Sequence, residues 1–246
     1  MAVVSTHAVY LFEVDPDGAP RMVWRVPYDR GAARKPGQLS WGSGPTPTFF
    51  GPTTGSDYLA FVDNADQEVN LVVVRTAGDE AGEVVCTTGV FGRGGQGSED
   101  SPVRAGRSVF VTSTHGYEYP RLPEDAGPAI PPDAPFTGGM ARVDVRADGS
   151  GCGTVWESEV RSAALPKLLT EGGLVVTVAR EGDEDGGAQR HAFVAIDAGT
   201  GEVVDRLELD QSMTDPLQLA GNASAGGVYW QGTLGAVLRV DSSPGG

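Results

Sequence analysis

The residues best suited to chemistry gather at the ends of short apolar runs. Asp63, Asn64 and Asp66 follow Tyr58-Leu59-Ala60-Phe61-Val62, and Glu99 and Asp100 precede Ser101-Pro102-Val103-Arg104. Carboxylate and amide oxygens at this density could hold a hard cation such as Ca2+. The spacing is not that of an EF-hand loop, which needs a Gly and a bidentate Glu at fixed later places. The plainer alternative is an Asx-type turn, in which Asp63 and Asn64 satisfy nearby backbone N–H groups. His7 and His115 stand at matching ends of two other runs, where an imidazole could serve as general base or metal ligand. No Gly-x-Ser-x-Gly elbow supplies a serine for either to activate. Arg180 and Gln231 close two further runs and complete the set of candidate ligand-binding groups.

These positions are set by a repeating unit of four short strands, a to d. Strand a is expected after a proline, at Thr46-Pro47-Thr48-Phe49-Phe50, Ser101-Pro102-Val103-Arg104, Leu165-Pro166-Lys167-Leu168-Leu169 and Asp215-Pro216-Leu217-Gln218-Leu219. A proline at the first residue of a strand loses no ladder hydrogen bond. Strand b follows as an apolar run, such as Leu174-Val175-Val176-Thr177-Val178, and strand c as one such as Ala192-Phe193-Val194-Ala195-Ile196-Asp197. Near-continuous apolar runs of this kind suit strands packed on both faces. The predicted units cover roughly 1–30, 45–90, 101–160, 165–210 and 215–242. The first reads as b, c, d and the last as a, b, c. The expected fold is therefore all-β, a β-propeller of four to five four-stranded units, incomplete or irregularly closed.

In such a fold the b–c loops and d–a crossovers emerge together around the channel mouth, which brings the candidate residues to one face. The insertion from Tyr117 to Gly139 carries six prolines and is expected to form a semi-rigid flap there or a plain surface loop. The acidic run from Glu181 to Gly187 reads as a solvated hairpin tip. Cys86 and Cys152 fall in outer strands of neighbouring units, either as a bridge or as two buried thiols.

The turn Asp197-Ala198-Gly199-Thr200-Gly201-Glu202 resembles the tryptophan-docking repeat of quinoprotein-type propellers, in which a Trp follows on strand d. Asp205 holds that place here, but Trp24 and Trp156 stand at it in two other units. The chain thus resembles a PQQ-binding-like β-propeller repeat protein. More narrowly, Gly42-Ser43-Gly44-Pro45-Thr46-Pro47-Thr48, Val62-Asp63-Asn64-Ala65-Asp66, Asp148-Gly149-Ser150-Gly151-Cys152 and Leu165-Pro166-Lys167-Leu168 are similar to the C-terminal part of longer, functionally unassigned actinobacterial propeller proteins. That likeness implies further N-terminal blades and an extracytoplasmic location, and it brings no catalytic residues. PQQ itself is not expected, because the adjacent Cys-Cys pair of the dehydrogenases is lacking, as is a Cys-x-x-Cys-His haem site.

Lys+Arg 18 against Asp+Glu 33 leaves a net charge of −15 over 246 residues. Such a field repels phosphate backbones, which argues against nucleic acid as a partner. No apolar run is long enough for a membrane-spanning helix, and Met1 to His7 lacks the features of a signal peptide. The expectation is a propeller that binds a small molecule or a protein segment at its funnel face, without evident catalytic machinery and with no cofactor beyond a candidate Ca2+. The alternative is a metal-dependent hydrolase, lactonase or lyase with its site in the funnel.

Overall fold

The computed structural model describes residues 1–92, 97–182, 190–209, 213–224 and 227–241. Five antiparallel sheets follow one another along the chain. The first comprises β1 (Ala2–Val4), β2 (Ala8–Val14) and β3 (Pro20–Pro27). The second holds β4 (Thr48–Phe50), β5 (Tyr58–Val62), β6 (Asn70–Arg75) and β7 (Val84–Gly89). The third is built from β8 (Val103–Ala105), β9 (Ser108–Thr112), β10 (Met140–Val145) and β11 (Cys152–Ser158). The fourth has β12 (Lys167–Leu169), β13 (Leu174–Glu181), β14 (Arg190–Asp197) and β15 (Val203–Leu209). The fifth has β16 (Asn222–Ser224), β17 (Val228–Gly232) and β18 (Val237–Asp241). Each sheet is a meander in chain order, and no helix occurs among the described residues.

The apolar runs are continuous because every inner sheet is covered twice. From β6, Val72 and Val74 pack with Val9, Leu11 and Trp24 of the first sheet. The alternate residues Leu71 and Val73 pack with Val109, Val111 and Val143 of the third. Each fully buried Val or Leu contributes about 1.5–3 kcal/mol, so this two-sided stacking is the main source of stability. The same interleaving joins Phe110, Met140 and Trp156 to Val175, Val194 and Ile196.

Two tryptophans fasten neighbouring sheets. Trp156 on β11 donates from Nε1 to Ala198 O (3.0 Å) in the turn between β14 and β15. Its indole lies on Gly201, whose φ of 79° and missing Cβ leave the necessary room. Trp24 on β3 repeats the arrangement one sheet earlier, donating to Thr76 O (3.4 Å) and packing on Gly82. The outer pairings carry a further shared device. The register shifts between Leu11 and Phe12, Val73 and Val74, Arg142 and Val143, and Ala195 and Ile196, so all four outermost strands are bulged against their neighbours.

Three of the four prolines stand where expected, immediately before β4 or β8 or β12. Pro216 does not. Leu217 and Gln218 have φ of 58° and 59°, Leu219 N–H closes a turn onto Pro216 O (3.0 Å), and the innermost strand of the fifth sheet begins only at Asn222. Cys86 and Cys152 form a disulfide between β7 and β11, with Cα atoms 5.8 Å apart. Of the acidic hairpin, residues 183–187 lie outside the described residues.

Candidate functional site

The loops joining the second and third strands of each four-stranded sheet leave on the same side as the crossovers between sheets. This top face is dominated by the long crossover from β3 to β4, residues 28–47. Gln38, fully buried, is its hub. Its Oε1 accepts Lys35 N–H (2.8 Å), and its Nε2 donates to Asn64 Oδ1 (3.0 Å) and Gly42 O (3.3 Å). Gly37, at φ 80°, presses on the Thr114 carbonyl, where any side chain would overlap. Thr114 Oγ1 donates to Gly37 O (2.8 Å) and accepts Glu99 N–H (3.1 Å).

Most of the polar residues singled out in the sequence are occupied in holding these loops. Asp63 is buried and accepts from Asn70 N–H (2.7 Å), Asn70 Nδ2 (2.8 Å) and Ala65 N–H (3.2 Å). That is the turn-closing role. Asn64 donates to Arg30 O (2.7 Å) and Ala33 O (3.0 Å), so it braces the crossover. Asp66 accepts Ala32 N–H (2.9 Å). Glu99 accepts Leu39 N–H (2.9 Å), and Asp100 accepts Thr112 Oγ1–H (2.7 Å). Burial pushes the Glu99 carboxyl up to about 7; Leu39 N–H and Arg34 oppose the shift, and Asp100 adds to it. Burial likewise raises Asp100 to about 7, against the Thr112 hydrogen bond. Gln231 accepts Tyr229 O–H (2.7 Å) and donates to Leu219 O (3.2 Å) and Gly232 O (3.0 Å).

The two histidines occupy different surroundings. His7 is exposed, with Nδ1 2.8 Å from Thr6 Oγ1 and Nε2 2.5 Å from Arg30 Nη1. His115 is 8 % exposed, and its Nδ1 meets no hydrogen-bond partner among the described residues. Burial lowers its pKa, and the nearby Lys35 lowers it further.

Arg180 belongs to a second cluster that sequence reasoning left unassembled. Its Nη2 donates to Asp215 Oδ2 (2.6 Å). Asp215 Oδ1 accepts Tyr117 O–H (2.6 Å) and Leu217 N–H (2.8 Å). His191 Nε2 lies 3.7 Å from Oδ2, and its Nδ1 is 3.0 Å from Thr214 Oγ1. The Arg180 guanidinium covers the rings of Tyr117 and Phe136 at 4.7 and 5.2 Å. Burial alone would raise Asp215, but His191, Tyr117, Leu217 N–H and Arg180 together hold its carboxyl well below the usual range. The cluster clasps the Tyr117–Gly139 insertion to the fourth sheet and to the crossover that precedes the fifth. The insertion is therefore a fixed part of the top face: Ile130 N–H donates to Arg34 O (2.9 Å), and Arg34 Nε donates to Gly127 O (3.0 Å).

Two concavities are formed here by the described residues. A groove of about 820 Å³ lies at the top of the third sheet, lined by Phe91, Met140, Glu157, Glu159 and Arg161 together with Gly138 and Gly139. A smaller pocket of about 320 Å³ lies among Ala32, Ala33, Lys35, Asp66, His115, Ile130 and Pro131. Among the described residues no three His, Cys, Asp or Glu side chains converge as a metal-ligand set.

Comparison of the whole fold with solved structures places it. All of this chain superposes on 59 % of the BamB chain from Moraxella catarrhalis, with a TM-score of 0.59 and 13 % identity. Quinohemoprotein alcohol dehydrogenase from Comamonas testosteroni matches 99 % of this chain over 41 % of its own, with a TM-score of 0.58 and 13 % identity. The fold is a PQQ-like β-propeller. Sqt1 from Saccharomyces cerevisiae is also similar, at a TM-score of 0.52 and 10 % identity, with 97 % of this chain covering 54 % of that one. The propeller described here thus spans less than two thirds of each of these chains. No family model matches the sequence, and no curated protein matches it. The narrower likeness to actinobacterial proteins rests on the sequence motifs alone.

Proposed function

We propose that this protein is a binding propeller whose top-face groove takes an extended, basic segment of a partner protein. The observation that carries this reading is the division of labour on that face. The polar groups at the mouth are spent on fixing two long loops, and beside them the described residues form a groove of about 820 Å³. Loops held on a rigid scaffold are the usual place for recognition. Gly92, Gly138, Gly139 and Gly182 line the groove; Gly92 is open, while Arg161 packs on Gly138. Glu157 and Glu159 against Arg161 give it a negative balance, in keeping with a net charge of −15. Complementary charge of this kind steers association and is weakened by salt.

The metal-dependent alternative gains no support from the arrangement. Asp63, one of its best ligands, is turned onto Asn70 and Ala65 of its own loop, and Asn64, the other, onto Arg30 O and Gln38 of the β3–β4 crossover. The test is fluorescence anisotropy with unstructured peptides of positive, neutral and negative charge. Binding of the positive peptide, weakened by salt and by the Glu157→Ala/Glu159→Ala double variant, supports the proposal. Charge-independent binding, or no binding accompanied by metal-dependent ester or lactone hydrolysis, contradicts it.

A further inference from the structure

The fifth sheet has an open edge where the other sheets have a strand. β2, β6, β10 and β14 each pair on their outer side with a further antiparallel strand, respectively β3, β7, β11 and β15. β18 takes the matching place in the fifth sheet, and among the described residues it pairs with β17 alone. Its hairpin fixes which backbone groups are left open. Thr233 N–H donates to Ala236 O (2.9 Å), so these two residues form a hydrogen-bonded pair, and the ladder alternates from there. Leu238 and Val240 are therefore bonded to β17, while Val237, Arg239 and Asp241 turn their N–H and C=O groups outward.

The fourth sheet is bare at the same place. Outer strands stack on outer strands: Cys86 on β7 and Cys152 on β11 are bridged, with Cα atoms 5.8 Å apart, and Val85 packs in the same cluster. Among the described residues nothing covers β15 in this way. Leu207 pairs with Phe193 and shares its face, and Phe193 packs on Tyr229 of the fifth sheet, yet Leu207 is 52 % exposed. Asp205, opposite Ala195, lies exposed on the same face, at the place where β3 and β11 carry their docking tryptophans.

A second copy does not fit this edge. Antiparallel pairing of β18 with its counterpart has its two-fold axis perpendicular to the joined sheet, which sets the second copy's fourth sheet in the space that β15 already occupies. A lone extended segment meets no such obstacle. We propose that this edge binds an extended segment of a partner protein by strand addition, antiparallel to β18 and over β15, with a Lys or Arg facing Asp205 and an apolar residue two positions later facing Leu207. Residues i and i+2 of a strand share one face, which matches the spacing of Asp205 and Leu207. The segment runs parallel to β15, because both are antiparallel to the third strands of stacked sheets. The outer strands β7, β11 and β15, 6 or 7 residues long, set its length. The site is separate from the top-face groove, and neither reading depends on the other.

The experiment measures amide hydrogen exchange by NMR on the full chain, with and without the peptide Gly-Thr-Lys-Thr-Val-Thr-Gly. Slowed exchange is expected at Val237, Arg239 and Asp241, with no change at Leu238 and Val240, whose N–H groups already bond to β17. Replacing the central Thr of the peptide by Pro, which removes an N–H facing β18, or its Lys by Glu, is expected to lower affinity about tenfold or more. In the protein, Arg239→Pro removes one outward N–H without breaking the ladder to β17 and is expected to abolish binding. Should that variant fail to fold, Asp205→Lys, at an exposed position, is expected to reverse the preference so that the Glu peptide binds better. Exchange at Val237 and Arg239 that is already slow in the free chain, no protection by the peptide, protection without the alternation, or an unchanged preference in Asp205→Lys overturns the proposal.

Discussion

Reducing the Cys86–Cys152 bridge tests how far the stack of sheets depends on covalent fastening. The bond joins β7 to β11 and closes a loop with a sequence separation of 66. Loop-closure entropy for that length is worth about 4 kcal/mol of unfolded-state destabilisation at 25 °C. For a chain of 246 residues this corresponds to a lower midpoint by about 8 °C. Comparing oxidised and reduced wild-type protein keeps every core atom in place, so Val85 and the other neighbours of the cysteines contribute equally to both states. Urea unfolding with and without reductant, followed by tryptophan fluorescence, gives the difference directly. A loss of less than about 1 kcal/mol would refute the reasoning, since the loop would then be restrained in the unfolded chain by something other than the disulfide. Two thiols that react without reductant in the native protein would remove the bridge itself.

Further outcomes follow from the packing and the charges. Asp63→Ala is expected to cost about 2–3 kcal/mol in chemical unfolding, because the buried donors of Asn70 and Ala65 lose their acceptor; no measurable loss would mean that Asp63 does not close this turn. Trp156→Ala should cost about 3–5 kcal/mol, and Trp156→Phe less, since the ring would still cover Gly201 while the bond to Ala198 O is lost; equal losses would contradict the docking role. Glu99 and Asp100 are raised from 4.5 and 3.8 to about 7, so the fold binds their protons more tightly than the unfolded chain does. Their contribution is fully present below the unfolded values and declines as pH rises towards about 7, and Glu99→Gln should flatten part of that decline in a pH series of melting curves.

What could be read in the sequence were features whose cause is local. Pro47, Pro102 and Pro166 mark strand starts because a missing N–H constrains the chain wherever it stands, and the apolar runs mark strands covered on both faces. Trp24 and Trp156 were legible because the docking turn and its tryptophan keep a fixed spacing within the repeat. Pro216 misled because the turn after it depends on the Asp215 side chain, which is itself fixed by Tyr117 and Arg180, 98 and 35 residues away. The candidate residues of the mouth were placed on the right face by topology, but their roles were not legible. Asn64 and Glu99 are bound to the 28–47 crossover, whose path no periodicity describes, and Gln38, the hub of that path, carries no motif at all. Nor does composition show that the insertion is clasped rather than loose, since the clasp is made by Arg180 and His191 of the fourth sheet and Asp215 of the crossover after it, all distant from the insertion in sequence.

The most direct measurement of the binding reading is positional crosslinking. A photoreactive residue placed at Glu159, on the groove, is compared with one at Asp148, in the turn at the opposite end of the third sheet, each mixed with the basic peptide that binds in solution. The account expects crosslinking at position 159, competed by unlabelled peptide, and none at position 148. Equal labelling at both positions, or labelling at 148 alone, would contradict it.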